Sequence, residues 1–514
     1  MNGGEVMSRI TISLGTLEGS LVGGVHQFLG VPYAEPVTAT RRFMPPVPKR
    51  SWLGVLDADT YGATCIQTPM PGLFECLSPD LSLVGSDCLN LNIWTPDPKA
   101  SLPVMVWIHG GAFFAGTGSD ETYQGDAFAR SGVVCVTINY RLGAQGFLDL
   151  SSLDERYESS GCIGIMDQVC ALKWVNDHIA QFGGDPNRVT IAGESAGAMS
   201  VSTLLATPSA TGLFQRAIAQ SGASNNTMPK GSAQIVTREL LKKLGVRDLT
   251  DLSEVSDEQL LGSQVELMQE ISESQDVERF GALTGALMSF LPVHGCAFLP
   301  EQPSIALSKG VAAEVALLQG VTCHEAPIFF YELADTLDLD SAQQLCAPLV
   351  EAAGLDQEDT LNHYLNLPGP LLTRVGAFLS DVMFNIPTLT MLSTQVVHNP
   401  NVWAYRFDWE NPGFEGLLQA HHFIELPFVF QTLGSSGAKK FGINQAPSRL
   451  ADITHKAWIA FITHGDPNHD DLPEWPRWQS DSSRPCMSFN DSCTLDTLVD
   501  ETTLKVWGLQ EDFI

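Results

Sequence analysis

Short apolar runs bounded by glycine and polar residues recur along the chain, and they have the length of buried β-strands. One of them, Val104–Ile108, leads into the small residues of His109–Phe113. Another, Arg188–Ala192, leads into Gly193–Gly197, after which Ala198–Leu205 has the pattern of a helix. The pattern therefore predicts two strands that each end in a glycine-containing loop.

The second loop, Gly193-Glu194-Ser195-Ala196-Gly197, has the G-x-S-x-G pattern. Between a strand and a helix, this pattern predicts a sharp turn that carries an exposed serine hydroxyl. The two glycines lack Cβ atoms, so strand and helix can approach closely. We therefore interpret Ser195 as a candidate nucleophile, held in a strained backbone at a helix N-terminus.

A serine nucleophile needs donors for the oxyanion that develops during acyl transfer. In the loop His109–Phe113, small residues free backbone N–H groups to face a ligand. This is the HGGG type of loop that faces a nucleophile turn. The predicted oxyanion-hole residues are therefore Gly111, Ala112 and Ala196, each through its N–H group.

The serine also needs a base, and the base needs a group that fixes its tautomer. In enzymes with this serine turn, the acid and then the histidine follow the serine along the chain. His455 lies in Asp452–Ile462, whose helical periodicity favours a surface position. His421 and His422 precede the apolar run Phe423–Phe430, and the residues alone do not separate the two. The histidines that leave room for an acid upstream are His363, His398, His421, His422, His455, His464 and His469.

The candidate acid follows a third apolar run, Val315–Val321, which indicates a buried parallel strand. Glu325 comes just past the carboxyl end of this strand, where catalytic groups cluster in open α/β sheets. Glu325 is therefore the predicted acid, with a solvated loop carboxylate as the alternative interpretation.

The charge balance narrows the expected partners. Asp and Glu number 59 against 28 Lys and Arg, which gives a formal net charge of −31 for 514 residues. Nucleic acids and anionic membranes are bound through basic patches, so we expect neither as a partner. A solvated acidic surface explains the charge, and adaptation to a saline setting is the alternative.

Several kinds of segment and site are not expected. The N-terminal residues lack the pattern of a secretory signal, and we find no run of about 18 apolar residues that could cross a membrane. Eleven cysteines in a chain of this length do not suggest a disulfide framework. His324-Glu325 begins like a zinc-protease motif but lacks the second histidine. We therefore expect a cytoplasmic protein without metal or cofactor.

Further motifs run nearly from end to end of the chain: Phe28–Ala34, Arg42–Pro46, Asp87–Asn92, Asn139–Gly143, Asp167–Gln168, Ala171–Val175, Phe182–Pro186, Gly465–Asn468 and Trp475–Pro476. Together with the serine turn, these segments resemble the type-B carboxylesterase/cholinesterase family of α/β-hydrolases. The resemblance implies an α/β-hydrolase fold, with a large, mostly parallel central sheet flanked by helices. It also implies a single domain over residues 1–514, with helical insertions at roughly 230–300 and 335–395 around the active-site gorge.

The resemblance also chooses among the open candidates. In the family, the catalytic histidine lies three residues before an acidic-Leu-Pro-aromatic-Val-Phe string, which Glu425–Phe430 matches, so His422 is implied. The family acid is the glutamate of an Asp-Glu-Gly segment. Here Glu325 matches, but a histidine and an alanine flank it. Ser221 resembles a hydroxyl that supports the acid.

Two departures from the family concern its cysteine-bearing signature. The family has a glutamate where this chain has Ser86, and that glutamate normally pairs with an arginine matching Arg42. Arg42 should therefore have a different partner here. Cys65 and Cys88 match the first disulfide pair of the family, but in a reducing cytosol we expect thiols, and Cys76 between them could compete.

The function implied is that of a serine carboxylesterase, a monomer or small homo-oligomer that hydrolyses uncharged short- to medium-chain acyl or aryl esters through an acyl-enzyme. Phe113 and Phe114 fit such a small-molecule substrate, and the segments Thr68–Leu83 and Trp409–Leu418 could overhang it. Ordinary packing is the alternative explanation of these residues. The alternative functions are acyl transfer to an alcohol and non-catalytic binding on the same fold.

Overall fold

The computed structural model describes residues 6–70, 72–77, 81–480 and 483–509. The chain forms two compact units, each assembled from separate stretches. The first unit consists of residues up to 120, 125–215 and 224–311, and the second consists of 121–124, 216–223 and residues from 312 onward. The single domain expected from the sequence stays a prediction.

Strands form at the apolar runs, as the sequence predicts. The runs at 104–108, 188–192 and 315–321 all lie within longer or closely overlapping strands. In chain order, the strands of the described residues are β1 Val6–Ile12, β2 Gly15–Val22, β3 Val25–Pro32, β4 Val55–Asp57, β5 Asn90–Thr95, β6 Leu102–Ile108, β7 Val134–Ile138, β8 Gly184–Glu194, β9 Arg216–Gln220, β10 Met228–Pro229, β11 Val293–His294, β12 Ala316–Thr322, β13 Val402–Phe407, β14 Pro485–Phe489 and β15 Thr494–Thr497.

In the first unit, the hydrogen-bonded strand order is β1-β2-β3-β5-β7-β6-β8, and β4 pairs with β2. Strands β7, β6 and β8 run parallel, whereas the neighbours along the rest of this order pair antiparallel. Ile108 is in register with Gly193, so β6 and β8 end side by side. This register places the loop after β6 next to the serine turn after β8.

In the second unit, β9, β12, β13 and β14 pair in that order and run parallel, and β15 adds an antiparallel edge. Gln220 at the end of β9 is in register with Gly320 of β12. The segments that follow these two strands therefore leave the sheet at the same edge. They carry Ser221 and Glu325.

Helices connect the strands, and the α/β class predicted from the sequence is confirmed. A π-helical turn at Asp381–Asn385 joins α12 to α13. In the described residues, the α-helices are α1 Asp126–Arg130, α2 Gly143–Phe147, α3 Ile163–His178, α4 Ala196–Leu205, α5 Lys230–Leu244, α6 Leu249–Glu254, α7 Asp257–Glu273, α8 Val277–Phe280, α9 Pro303–Ser308, α10 Leu339–Ala352, α11 Gln357–Leu365, α12 Leu371–Ser380, α13 Ile386–Val396, α14 Leu426–Val429, α15 Ser436–Lys440, α16 Ser448–His464 and α17 Glu501–Val506.

The continuous helical stretch Leu371–Val396 corrects one expectation from the sequence. It has 26 residues and a mean hydropathy of 1.4, so by length and composition it is able to cross a membrane. In the structure, 61% of its most apolar window is buried, as in the core helix of a globular protein. The sequence did not reveal it because Arg374 and Asp381 interrupt the apolar run.

Arg42 has a different partner from its family counterpart, as the sequence predicts. Its Nη2 lies 2.9 Å from Oδ1 of Asp257, the first residue of α7, and its Nη1 donates to the carbonyl of Val255 at 2.6 Å. Ser86, at the position of the family glutamate, is exposed. The ion pair of Arg42 therefore lies at the start of α7.

Cys65 and Cys88 are buried free thiols. Burial raises the pKa of Cys65 well above its usual value, and a hydrogen bond with the Cys88 thiol adds to the shift. The side chain of Cys76, the possible competitor, lies outside the described residues.

Candidate active site

Ser195 lies at the turn between β8 and α4, with a left-handed φ of +56° and a ψ of −125°. Its neighbours on both sides are buried, whereas Ser195 itself is partly exposed. A Cβ on Gly197 would lie 2.0 Å from the carbonyl oxygen of Ile108, and one on Gly193 would lie 2.5 Å from the carbonyl carbon of Gly197. The turn therefore needs both glycines, and it holds Ser195 in a strained conformation.

The loop after β6 is also strained. Gly111, Ala112 and Phe113 have φ values of +104°, +52° and +63°. A Cβ on Gly111 would lie 2.2 Å from the carbonyl oxygen of Ala115, so only glycine fits there. Left-handed conformations at an alanine and a phenylalanine are uncommon, and such strain collects at functional sites.

The structure brings this loop and the serine turn together within the first unit. A Cβ on Gly110 would lie only 3.1 Å from the Cβ of Ser195 and 2.9 Å from the carbonyl oxygen of Glu194. Ala196 is the first residue of α4, so its N–H is at the positive end of the helix dipole. The loop therefore meets the serine turn at Gly110, which Gly111 and Ala112 follow directly, while Ala196 adjoins Ser195 in the chain.

Gln67 holds the far end of the same loop, although no motif in the sequence marks it. Its Oε1 accepts from the N–H of Gly116 at 2.8 Å, and its Nε2 donates to the carbonyl of Gly116 at 2.9 Å. The side chain is buried. A polar residue in a loop that precedes β6 by more than thirty positions has no local sequence signal that could have revealed this contact.

The second unit brings Ser221, Glu325 and His422 together. The Oε2 of the fully buried Glu325 lies 2.5 Å from Nδ1 of His422. Its Oε1 accepts from the Ser221 hydroxyl at 2.6 Å and from the N–H of Thr322 at 2.7 Å. With Oε1 occupied twice, Oε2 is the oxygen that accepts from Nδ1–H, which leaves the lone pair of a neutral ring on Nε2.

His421 has a different environment from its neighbour. Its Nδ1–H donates to the carbonyl of His422 at 2.7 Å, and its ring packs against Phe423 and Phe441. Burial lowers the pKa of His421 to about 3, so this ring is neutral. His455, expected at the surface, is instead buried and donates through Nδ1–H to the Val429 carbonyl at 2.7 Å, because its helix is covered on that side.

The alanine that follows Glu325 fits the loop without glycine. Ala326 has an ordinary right-handed φ of −86°, and its N–H donates to the hydroxyl of Ser380 at 3.0 Å. On the other side, burial lowers the pKa of His324 to about 4. The two departures from the family segment therefore place neutral groups beside the acid.

Two phenylalanines flank His422, and neither was among the sequence candidates. The ring centres of Phe329 and Phe384 lie 5.1 and 4.8 Å from that of His422. Phe329 comes four residues after Glu325, a spacing that could have suggested it. Phe384 lies in the π-helical turn far along the chain and has no comparable signal.

Of the apolar residues proposed as substrate contacts, some lie in the core and one is partly exposed. Phe113 is fully buried and packs on Phe147 of α2, and Trp409 packs on Phe428, so both belong to the core. Phe114 is partly exposed. The segment Thr68–Leu83 lies partly outside the described residues.

Comparisons with known proteins find similarity over nearly the whole length of the chain. The sequence profile of the carboxylesterase family matches residues 7–507. The chain is 38% identical over 498 residues to the para-nitrobenzyl esterase of Bacillus subtilis (strain 168), covering 95% of this chain and 96% of that protein. It is 34% identical over 482 residues to the phenmedipham hydrolase of Pseudarthrobacter oxydans, covering 91% and 92%. A solved structure of a PNB esterase superposes with a TM-score of 0.85 at 35% identity, covering 98% of this chain and 99% of that one.

Proposed function

Because the chain belongs to the carboxylesterase family and is a serine hydrolase of carboxylic esters, we propose that Ser195, His422 and Glu325 are its catalytic triad. The observation that carries the proposal is the buried hydrogen bond between Glu325 and His422. It fixes the ring tautomer in which Nε2 is able to take a proton. The strained turn at Ser195 supplies the nucleophile.

The proposed reaction follows from these groups. Ser195 Oγ attacks the ester carbonyl while His422 Nε2 takes the hydroxyl proton, and Glu325 stabilises the imidazolium. The N–H groups of Gly111, Ala112 and Ala196 hold the oxyanion. The alcohol leaves with the proton from His422. A water molecule, deprotonated by the same nitrogen, then cleaves the acyl-enzyme and releases the carboxylic acid.

We propose uncharged esters with a short- to medium-chain acyl or an aryl group as substrates. The aromatic rings of Phe329 and Phe384 beside His422 support an apolar ester, and Phe329 is 36% exposed. The net charge of −31 disfavours polyanionic substrates at long range. One relative is named a para-nitrobenzyl esterase, and a nitrobenzyl group carries an aromatic ring, which fits a substrate with an aromatic group.

We also propose a cytoplasmic location and action without nucleic acid or membrane, as a monomer or small homo-oligomer. Free thiols support a reducing compartment, and Cys65 and Cys88 are examples. The excess of acidic residues opposes binding to polyanions.

Ester hydrolysis by the purified protein tests the triad. Wild type and Ser195→Ala are compared on p-nitrophenyl esters of increasing acyl length, and the loss of Ser195 should lower kcat by on the order of 10⁶. Ser209→Ala, at an exposed position shortly after α4, is the control and should retain activity. Equal rates for wild type and Ser195→Ala would refute the triad. Analysis of products with added alcohol separates hydrolysis from acyl transfer.

A further inference from the structure

Helix α7 has a glutamine where its pattern calls for an apolar residue. Its buried residues are Leu260, Gln264, Leu267 and Ile271, which recur at helical spacing on one face. Gln264 is only 2% exposed. Burying an amide is unfavourable unless its groups are hydrogen-bonded, so the position suggests a specific partner.

The partner of Gln264 is the first turn of α2. Gln264 Oε1 accepts from the N–H of Ala144 at 2.7 Å. The contact is close, because a Cβ on Gly143, which has a φ of +52°, would lie 2.2 Å from the same oxygen. Gly143 therefore leaves room for the glutamine to reach the helix.

The same turn of α2 holds the predicted oxyanion loop. The N–H of Gly143 donates to the carbonyl of Phe113 at 2.7 Å. The Phe113 ring also packs edge-to-face on Phe147, the last residue of α2, with ring centres 5.0 Å apart. The first N–H groups of a helix have no acceptors within the helix. In α2, the N–H of Gly143 donates to the loop, and the next N–H, that of Ala144, donates to Gln264.

Helix α7 is itself anchored at its start. Arg42 Nη2 pairs with Asp257, the first residue of α7, and a capping box of Ser256 and Gln259 closes the same turn. This keeps Gln264 in place over α2. The contacts run from Gln264 through Ala144 and Gly143 to Phe113, all within the first unit.

We propose that Gln264 is a positioning residue for the oxyanion hole. By holding the first turn of α2, it fixes the Phe113 carbonyl and so the left-handed backbone that aims the N–H groups of Gly111 and Ala112. The inference rests on the proposed catalytic role of that loop. Gln264 itself touches neither substrate nor reacting atoms.

The test replaces Gln264 by leucine, which has a similar size but no acceptor. We expect Q264L to lower kcat about 10- to 100-fold, as misplaced catalytic groups do, while KM changes by less than about twofold. Affinity for a trifluoromethyl ketone, whose adduct with Ser195 carries an oxyanion, should fall by a similar factor. A purely structural role would lower the melting temperature without these changes.

Two further variants keep the test decisive. Q264E retains an acceptor oxygen and should keep most of the wild-type turnover even where its melting temperature falls. Q269L makes the same change at an exposed position of α7 and should behave as wild type. Wild-type turnover and inhibitor affinity in Q264L would overturn the inference. If Q264L does not fold, a tenfold or greater fall in the turnover of folded Q264E would do so. An active Ser195→Ala variant would instead overturn the proposed function.

Discussion

Two adjacent histidines of this enzyme have opposite surroundings. His422 shares a hydrogen bond with a carboxylate, which would stabilise a positive charge on its ring in the proposed reaction. His421 has a carbonyl and two aromatic rings around it, and burial keeps it neutral. Only the first environment suits a group that gains and returns a proton in each turnover.

We therefore expect opposite results at the two positions. His422→Ala should lower kcat by on the order of 10⁶ because the triad acts as a unit. His421→Asn keeps a donor for the His422 carbonyl and should lower kcat by less than about tenfold, since a repositioned backbone is its main effect. Rates on p-nitrophenyl acetate measure both. A larger loss for His421→Asn than for His422→Ala would reverse the assignment.

At the residue scale, the sequence predicts those residues whose position is marked by a local motif. Ser195 and the predicted oxyanion loop follow strands in recognisable motifs, so their places at the strand ends could be predicted from the residues alone. The pairing of Glu325 with His422 joins residues 97 positions apart. The strand position indicated Glu325, but the family resemblance was needed to choose His422 over His421. Gln264 and Phe384 could not be found, because their roles depend on contacts between elements that are distant in sequence.

Among the elements, the serine turn has the least room. Gly197→Ala would press a methyl group into the carbonyl of Ile108, and we expect a loss of about 1–3 kcal/mol in the free energy of unfolding. The kcat should also fall about 100-fold as Ser195 shifts. Urea denaturation and ester hydrolysis measure these effects.

Gly262→Ala is the matched control for Gly197→Ala. It lies within α7, and a Cβ there would meet nothing within 4 Å. Gly262→Ala should therefore stabilise the protein by about 0.5–1 kcal/mol, because alanine favours the helix, and should leave kcat unchanged. Destabilisation by Gly262→Ala, or normal stability and rate in Gly197→Ala, would contradict this account.

The π-helical turn contains a buried carboxyl group that responds to pH. The Tyr364 hydroxyl and the Asn385 amide donate to Asp381 at 2.6 and 2.7 Å, yet burial raises the pKa of Asp381 to about 6. The nearby Asp500 carboxylate contributes to the shift. An unfolded carboxyl titrates near about 4, so the folded protein retains a proton that the unfolded chain loses between these values.

The contribution of Asp381 to stability should therefore fall as the pH rises through the window from about 4 to about 6, whatever the other groups do. Asparagine at position 381 cannot ionise. The melting temperature of Asp381→Asn should therefore rise relative to that of wild type as the pH increases over this window. Thermal unfolding of both proteins across this window and up to neutral pH measures the difference. A difference that stays constant with pH would show that Asp381 does not titrate there.

Strand boundaries match the apolar runs of the sequence wherever apolar and polar residues alternate clearly or a continuous apolar run is clear. The predicted run 104–108 ends with β6 and starts two residues later, and the run 315–321 differs from β12 by one residue at each end. The π-helical turn at 381–385 could not be predicted, since it alters the helical period within a stretch that otherwise reads as α-helix.

For the molecule as a whole, the net charge of −31 should make stability sensitive to salt. Self-repulsion among acidic groups opposes the folded state, and salt shortens the screening length from about 30 Å at 0.01 M to about 3 Å at 1 M. The melting temperature should therefore rise with sodium chloride over this range. Sodium chloride is preferred to sulfate, which also strengthens apolar burial. A flat or falling curve would contradict the prediction.

The α/β-hydrolase fold is the level at which the sequence was most informative. The resemblance extended over most of the chain, and the match to solved PNB esterases confirms the fold. The membrane-length helix at Leu371–Val396 was missed, because two charged residues interrupt its apolar run and only the folded structure shows the helix continuing through them.

The alanine after Glu325 affects how such enzymes are found. Its φ of −86° is one that any residue adopts, and Ser380 secures its backbone N–H, so the acid loop does not depend on a glycine. A search pattern that demands glycine after the acid would pass over this chain, although its carboxylate and histidine are correctly paired. Patterns that admit alanine at this position would recover enzymes that stricter ones discard.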